Sequence, residues 1–113
     1  MEDLKVIVEL VPGADILELQ KIAAEFLKHE EVVALLVSDV EGVKIVAASG
    51  DKALKLGINA NNLVREVSKI VGGGGGGKPT LAMGGGTDST RIPNVLARGL
   101  ELVKEKCKEN LQR

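Results

Sequence analysis

The stretch from Val71 to Gly86 reads VGGGGGGKPTLAMGGG and holds nine of the fourteen glycines of the chain. Six of them, Gly72 to Gly77, follow one another without interruption. Ordering six consecutive glycines costs about 3–6 kcal/mol relative to alanine, which is a large fraction of the roughly 5–15 kcal/mol by which a domain is stable. The tract therefore predicts one of two arrangements: backbone approaches a neighbour or partner where side chains would not fit, or the tract stays mobile until something binds.

Hydrophobic periodicity predicts regular structure on both sides of this tract. Strands are predicted over residues 4–11, 32–37, 43–48 and 80–83, where β-branched and apolar residues predominate. Amphipathic helices are predicted to begin after Asp15, Asn59 and Thr90, each of which is a suitable N-cap, and Gly72 lies where a helix-ending glycine belongs. The order β-α-β-β-α-β-α predicts an α/β (mixed α+β) fold, with helices on a mixed sheet of about four strands. The tract is predicted to be a loop inside one globular domain that spans residues 1–113.

Composition excludes several classes of protein. The chain has 113 residues, of which 44% are hydrophobic, and no apolar run is long enough to cross a membrane. The acidic, alternating start of the chain is unlike a secretory leader, so a cytoplasmic location is expected. One cysteine and one histidine exclude a disulfide scaffold and a structural zinc site. With no Trp or Tyr and a single Phe, stacking of nucleobases on aromatic side chains is not expected.

Charge is distributed unevenly along the chain. Residues 1–50 carry four lysines and ten acidic residues, a net charge of −6, whereas residues 51–113 carry eleven basic and six acidic residues, a net charge of +5. A domain with one acidic and one basic half can present a positive face to a polyanion. Chance variation along the chain explains the same numbers equally well.

The spacing from Gly72 through Gly77 to Lys78 imitates the start of a nucleotide-binding P-loop, but the imitation is incomplete. Pro79 stands where that motif needs a Ser or Thr for Mg²⁺, and the tract follows a predicted helix rather than a strand. Nucleoside triphosphate binding is therefore not expected. Glycine amides can instead form a concave site for phosphate oxygens, to which Lys78 adds a full charge.

Taken together, the glycine tract, the basic residue with proline, the short Ala-containing strand and the second glycine cluster resemble the C-terminal domain of alanyl-tRNA synthetases. The preceding helix around 63–67 and a closing helix over 92–109 fit the same pattern. Many members of that family have Arg where this chain has Lys78, and Gln-Ala where it has Met83-Gly84. Lysine keeps the charge but lacks the two-pronged geometry of a guanidinium group.

A related domain closes the DHH-type phosphoesterases, in which the glycine tract is followed by His-Pro. This chain has Lys78 at the position of that histidine, which favours the synthetase. The alternatives that remain open are a nucleic-acid-binding domain of a DHH-type phosphoesterase and a self-association (dimerisation) module.

The resemblance implies a non-catalytic domain that binds the elbow of tRNA(Ala) and so supports both aminoacylation and editing. The parent enzyme would be an ATP-dependent alanine–tRNA ligase with editing hydrolysis. ATP, Mg and Zn would belong to the parent, and no cofactor or metal is expected in this domain. The implied partners are tRNA, the catalytic and editing domains of the parent chain and, in some members, a second copy; no membrane is expected.

The candidate nucleic-acid-binding residues lie in and around the glycine tract, and no catalytic residue is predicted. Lys78 is expected to contact a tRNA phosphate beside the glycine amides. Arg65 and Lys69 share one helix face and either extend the basic track or form the solvated side of the helix; Arg91 has the same two interpretations. The full set is Gly73, Gly74, Gly75, Gly76, Gly77, Lys78, Arg65, Lys69 and Arg91. Cys107 is interpreted as a small core residue.

Overall fold

A computed structural model describes residues 4–111 of the chain, with side chains described as far as residue 108. Residues 1–3, 112 and 113 of the predicted domain lie outside the described residues. The secondary-structure elements, in chain order, are strand β1 (Lys5–Leu10), helix α1 (Ile16–Phe26), strands β2 (Val32–Ser38) and β3 (Val43–Ser49), helices α2 (Asp51–Lys55) and α3 (Ala60–Ile70), strands β4 (Gly74–Gly77) and β5 (Leu81–Gly86), and helix α4 (Ile92–Leu111), which a 3-10 turn (Ser89–Arg91) precedes.

The five strands form one mixed sheet in the order β1-β2-β3-β5-β4. Strands β1 and β2 are parallel, because α1 returns the chain to the end of the sheet at which β1 begins. The other pairs are antiparallel, with Leu36 opposite Val46, and Ile45 opposite Gly84. All seven residues of β2 are buried, as expected for an inner strand covered on both faces.

Helices cover both faces of the sheet. Helices α3 and α4 pack on one face over a core that includes Leu35, Ile45 and Val67. Helix α1 packs on the other face, where Leu19 and Leu36 are buried. Cys107 is a free, buried cysteine in the first of these cores, so the structure confirms its interpretation as a packing residue.

The predicted α/β class is confirmed, and the sheet has one strand more than the approximate count from the sequence. The additional strand is β4, which consists of four glycines from the predicted loop. A short helix, α2, also follows directly after β3, where only an interruption was expected. Among residues 4–111, no helix is long and apolar enough to cross a membrane.

The predicted helix boundaries hold at three of four positions. Asp15 and Glu18 form a capping box, in which each side chain accepts a hydrogen bond from the backbone N–H of the other. Asn59 caps α3 by accepting from the N–H of Asn62 at 3.2 Å, and Gly72 follows α3 with φ +74°. The prediction that Thr90 caps the last helix is wrong, because the side chain of Asp88 accepts from the Thr90 N–H.

We predict that Asp15→Ala lowers the free energy of unfolding by about 1 kcal/mol, because an orphan amide in the first turn of α1 loses its acceptor. Urea denaturation followed by circular dichroism measures the change. Asp15→Asn retains the acceptor oxygen and serves as the matched control; equal destabilisation by the two variants would contradict a capping role.

Candidate nucleic-acid interface

The predicted binding tract forms a glycine ribbon, defined here as β4 together with Gly84–Gly86 of β5. Gly74 pairs with Gly85, and Gly75 pairs with Gly84. Strand β4 is the outermost strand of the sheet on this side, and three of its four residues are exposed. Backbone without side chains therefore reaches the surface over an ordered segment.

The two faces of the ribbon have different surroundings. On one face, a Cβ placed on Gly75 would lie 2.8 Å from Cγ1 of Val64 on α3, and a Cβ on Gly84 would lie 2.6 Å from the same atom. Buried Ser68 also crowds this face, with its Oγ 2.5 Å from the Cβ position of Gly84. On the other face, a Cβ on Gly74 would meet nothing within 4 Å. Helix α3 thus packs directly on peptide backbone, while the opposite face of the ribbon is open at Gly74.

The pairing of the ribbon itself also excludes side chains. A Cβ on Gly75 would lie 2.4 Å from the carbonyl oxygen of Met83, and one on Gly73, directly before β4, would lie 1.8 Å from the carbonyl oxygen of Gly85. Those neighbours are backbone atoms, which cannot rotate away as a flexible side chain would. Of the two explanations offered by the sequence, a close approach of backbone to a neighbouring segment is therefore the one observed.

The expectation of a loop of converging amides needs correction. In an extended strand, successive N–H groups point to opposite sides, so they do not form a concave site around one anion. Several amides of the tract are also engaged: Gly73 N donates to Ser68 O at 3.0 Å, Gly77 N to Asn61 Oδ1 at 3.0 Å, and Lys78 N to Leu81 O at 2.9 Å. The ribbon therefore offers a flat backbone surface rather than an anion-binding cradle.

The position of Lys78 combines exposure with proximity to the ribbon. It begins the turn between β4 and β5, and its side chain makes no hydrogen bond or ion pair with the described part of the chain. Arg65 is exposed on α3, next to Val64, and it too has no such partner among residues 4–108. It lies one helical turn after Asn61, which holds Gly77, so both residues occupy the side of α3 that borders the ribbon.

The other two predicted cations are exposed but paired. Lys69 Nζ lies 3.4 Å from Glu66 Oε2 on the same helix. Arg91 Nε lies 3.6 Å from Asp88 Oδ2, close to the end of β5. Both pairs are solvent-exposed and weak, so each cation keeps a neighbouring carboxylate without being immobilised by it.

Sequence reasoning missed Asn61, whose side-chain oxygen connects α3 to the outer edge of β4. Its only sequence signal is an Asn-Asn pair at the start of a helix, which is more simply interpreted as capping. Among the described residues, no group of three or more His, Cys, Asp or Glu side chains could hold a metal ion. His29 is exposed just after α1.

Other basic residues of α4 lie in a mixed-charge surface. The guanidinium group of Arg98 donates a hydrogen bond to Glu101, and this bond, together with the charges of Glu101 and Glu105, raises the pKa of Arg98. A cleft between α3 and α4, bordered by Ile58 and Leu102, has a volume of about 70 Å³. This cleft is too small for a nucleotide.

Comparisons with known proteins agree with this description. The family described as "DHHA1 domain" matches residues 3–109. The chain is 74% identical over 106 residues to an alanine–tRNA ligase of Methanosarcina acetivorans, and 75% identical over 107 residues to that of Methanosarcina mazei. Each alignment covers 94% of this chain and 12% of the relative, so the chain spans about an eighth of the length of these proteins.

A solved structure shows the same fold. The crystal structure of the C-Ala domain from Aquifex aeolicus alanyl-tRNA synthetase superimposes with a TM-score of 0.75 at 26% sequence identity. The match covers 92% of this chain and 91% of that one. The resemblance to alanyl-tRNA synthetases is thereby confirmed.

We predict that Gly75→Ala destabilises the protein by about 2–3 kcal/mol, because its methyl group can be accommodated only by displacing β4 from β5. Gly74→Ala is the matched control in the same strand. Its methyl group points into open space, so stability should stay the same or rise by about 0.4–1 kcal/mol through reduced freedom of the unfolded chain. Urea denaturation compares the two, and similar losses in both would contradict the described packing of the ribbon.

Proposed function

The chain belongs to the DHHA1 domain family, and from this premise we propose that it is the non-catalytic, tRNA-binding C-terminal domain of an alanine–tRNA ligase. In the whole protein it would bind the elbow of tRNA(Ala) and so support aminoacylation and editing by other domains. The names of the relatives and the C-Ala title of the matched structure support the assignment to the ligase. The observation that carries the binding role is the exposed glycine ribbon bordered by Lys78 and Arg65.

The flat ribbon favours recognition of a nucleic acid by its shape and backbone. With no side chain on Gly74, a ribose or a phosphate can approach the exposed peptide groups closely. Phosphate contacts position a nucleic acid without reading its sequence. The scarcity of aromatic side chains supports the same view, because base-specific recognition of unstacked RNA commonly uses them.

The cations have different expected contributions. Lys78 and Arg65 have no partner within the described part of the chain. Each can therefore displace a condensed counterion from the nucleic acid when it contacts a phosphate. Lys69 and Arg91 already have Glu66 and Asp88 beside them, so a phosphate must compete with a carboxylate. We therefore rank Lys78 and Arg65 above the other two predicted contacts.

The partners of the domain within its parent would be the catalytic and editing domains, in the cytoplasm. ATP, Mg and Zn are assigned to those domains, and no cofactor is assigned to this one. A second copy of the chain is a further proposed partner, and the β1 edge of the sheet lies on the opposite side from the ribbon.

We predict that Lys78→Ala and Arg65→Ala each weaken tRNA binding and reduce the slope of log affinity against log salt by up to about one unit. A gel-shift titration of the 113-residue chain with tRNA at several salt concentrations measures both effects. Lys28→Ala is the control, because Lys28 is also exposed but lies just after α1, where it pairs with Glu25. An equal loss in Lys28→Ala would indicate general attraction by charge rather than a site at the ribbon.

The nature of the RNA is tested in the same assay. We expect intact tRNA to bind more tightly than a tRNA lacking its elbow or a simple RNA duplex; equal affinity for all three would refute shape recognition. Tighter binding of short single-stranded oligonucleotides would favour the alternative, a substrate-binding domain of a DHH-type phosphoesterase.

A further inference from the structure

Helix α1 covers only part of its face of the sheet. It packs on β2 and β3, and at its border with the ribbon Gln20 Nε2 donates a hydrogen bond to Met83 Sδ on β5. Beyond that contact, Met83 is 40% exposed, Gly76 lies opposite it on β4, and a Cβ on Gly74 would meet nothing within 4 Å. These three residues, Gly74, Gly76 and Met83, define an open face of the sheet beside α1.

Lys44 of β3 lies on the same side of the sheet as this open face. Successive side chains of a strand point to opposite faces. Ile45 belongs to the core beneath α3 and α4, whereas Val46 belongs to the core beneath α1, and Lys44 is in phase with Val46. The register places Lys44 opposite Gly85, and Gly85 opposite Gly74. With neighbouring strands about 4.8 Å apart, the Cα of Lys44 lies about 10 Å from that of Gly74.

The charge of Lys44 is not neutralised within the described part of the chain. Its side chain is half-buried, and its Nζ donates to the backbone carbonyl of Glu41 at 3.1 Å. Asp39 and Glu41 are exposed in the same hairpin, but neither carboxylate forms an ion pair with Lys44. An ammonium group has three donors, so the carbonyl engages one of them and leaves two for an anionic ligand.

The side of α1 that borders the open face carries no charge. Residues four apart share one side of a helix, so Ile16 and Ala24 lie on the side of Gln20. Glu18 and Glu25 are the acidic residues of this helix, and at 3.6 residues per turn they project at least about 140° away from Gln20. The negative charge of the N-terminal half of the chain therefore does not extend to the open face through α1.

We propose that RNA bound by this domain lies across the open face, beside α1, and that Lys44 is an additional phosphate contact there. The inference rests on the proposed function and adds to it the side of the sheet from which the RNA approaches. Lys78 lies about 13 Å from Gly74 along the strand direction, and Lys44 lies about 10 Å from Gly74 across the strands. The two cations thus mark opposite corners of the open face, an arrangement that complements an extended polyanion.

Neutralising Lys44 tests this direction of approach. Lys44→Met removes the charge and keeps a side chain of similar length. We expect tRNA binding to weaken roughly 5-fold at 0.1 M salt, and the slope of log affinity against log salt to fall by up to about one unit, as for the loss of one phosphate contact. Lys44→Arg keeps the charge and should bind like the wild type. A gel-shift titration of the 113-residue chain with tRNA at several salt concentrations measures these effects.

Lys5→Met is the matched control for the loss of charge. Lys5 is an exposed lysine in a strand, and it is in phase with Ile7, which packs on the α1 side of the sheet. It lies on β1, at the edge of the sheet farthest from the ribbon. Its removal should leave tRNA affinity unchanged, whereas a loss equal to that of Lys44→Met would indicate general attraction by charge and would overturn the proposal.

A side chain added at Gly74 is an independent, steric test. The side chain of Gly74→Gln projects into the open face, where no neighbouring atom lies within 4 Å. Urea denaturation should therefore show unchanged stability. We expect tRNA affinity to fall roughly 10-fold or more, because the side chain holds the RNA away from the peptide surface. Gly74→Ala, with its smaller side chain, should lose less.

The outcomes separate this inference from the proposed function. If Lys78→Ala weakens binding while Lys44→Met and Gly74→Gln both bind like the wild type, the RNA runs along the outer edge of β4. That result would overturn the inference, leave the proposed function in place and assign the open face to another domain of the parent chain. A wild-type chain that does not bind tRNA would overturn both. If Lys44→Met does not fold, Gly74→Gln decides.

Discussion

The close approach of helix α3 to the glycine ribbon is the contact on which this end of the fold depends. Val64 and Ser68 occupy space that Cβ atoms on Gly75 and Gly84 would need. The absence of side chains therefore allows a helix to lie against peptide backbone and keeps β4 in the sheet. The entropy lost in ordering so many glycines is offset by this packing and by the hydrogen bonds of the ladder. Glycine is required here mainly for its small size.

The same contact gives the ribbon two unlike faces. One face is sealed by α3, while the other exposes backbone at Gly74, with no neighbouring side chain to obstruct an approaching molecule. Lys78 lies at the turn that ends β4, and Arg65 borders the ribbon from α3. An ordered backbone surface that is open at Gly74 and has cations at its margin is suited to a large, regular polyanion and poorly suited to a small ligand, which needs a concave pocket.

Much of the fold could be predicted from the sequence because side-chain patterns encode it. Asp15, Asn59 and Gly72 act locally, so their roles as helix boundaries could be predicted from the sequence. The strand β4 could not be predicted, since glycine has neither a hydrophobic pattern nor a preference for strands. What makes β4 a strand is its pairing with β5 and its contact with α3, both tertiary. The hydrogen bond from Gly77 to Asn61 could not be predicted either, because it is a tertiary contact between residues sixteen positions apart.

The candidate cations were predictable as residues but not as an arrangement. Sequence spacing placed Arg65 and Lys69 on one helix face, yet only the structure distinguishes Arg65, which borders the ribbon, from Lys69, which pairs with Glu66.

The two edges of the sheet differ in how far their backbone groups are already bonded. Along the β4 edge, the N–H of Gly73 donates to Ser68 O and that of Gly77 to Asn61 Oδ1, both on α3, so these two amides are not free to pair with a further strand. Open-ended growth by edge-to-edge pairing of sheets needs two receptive edges, so helix α3 opposes such growth on the side of β4.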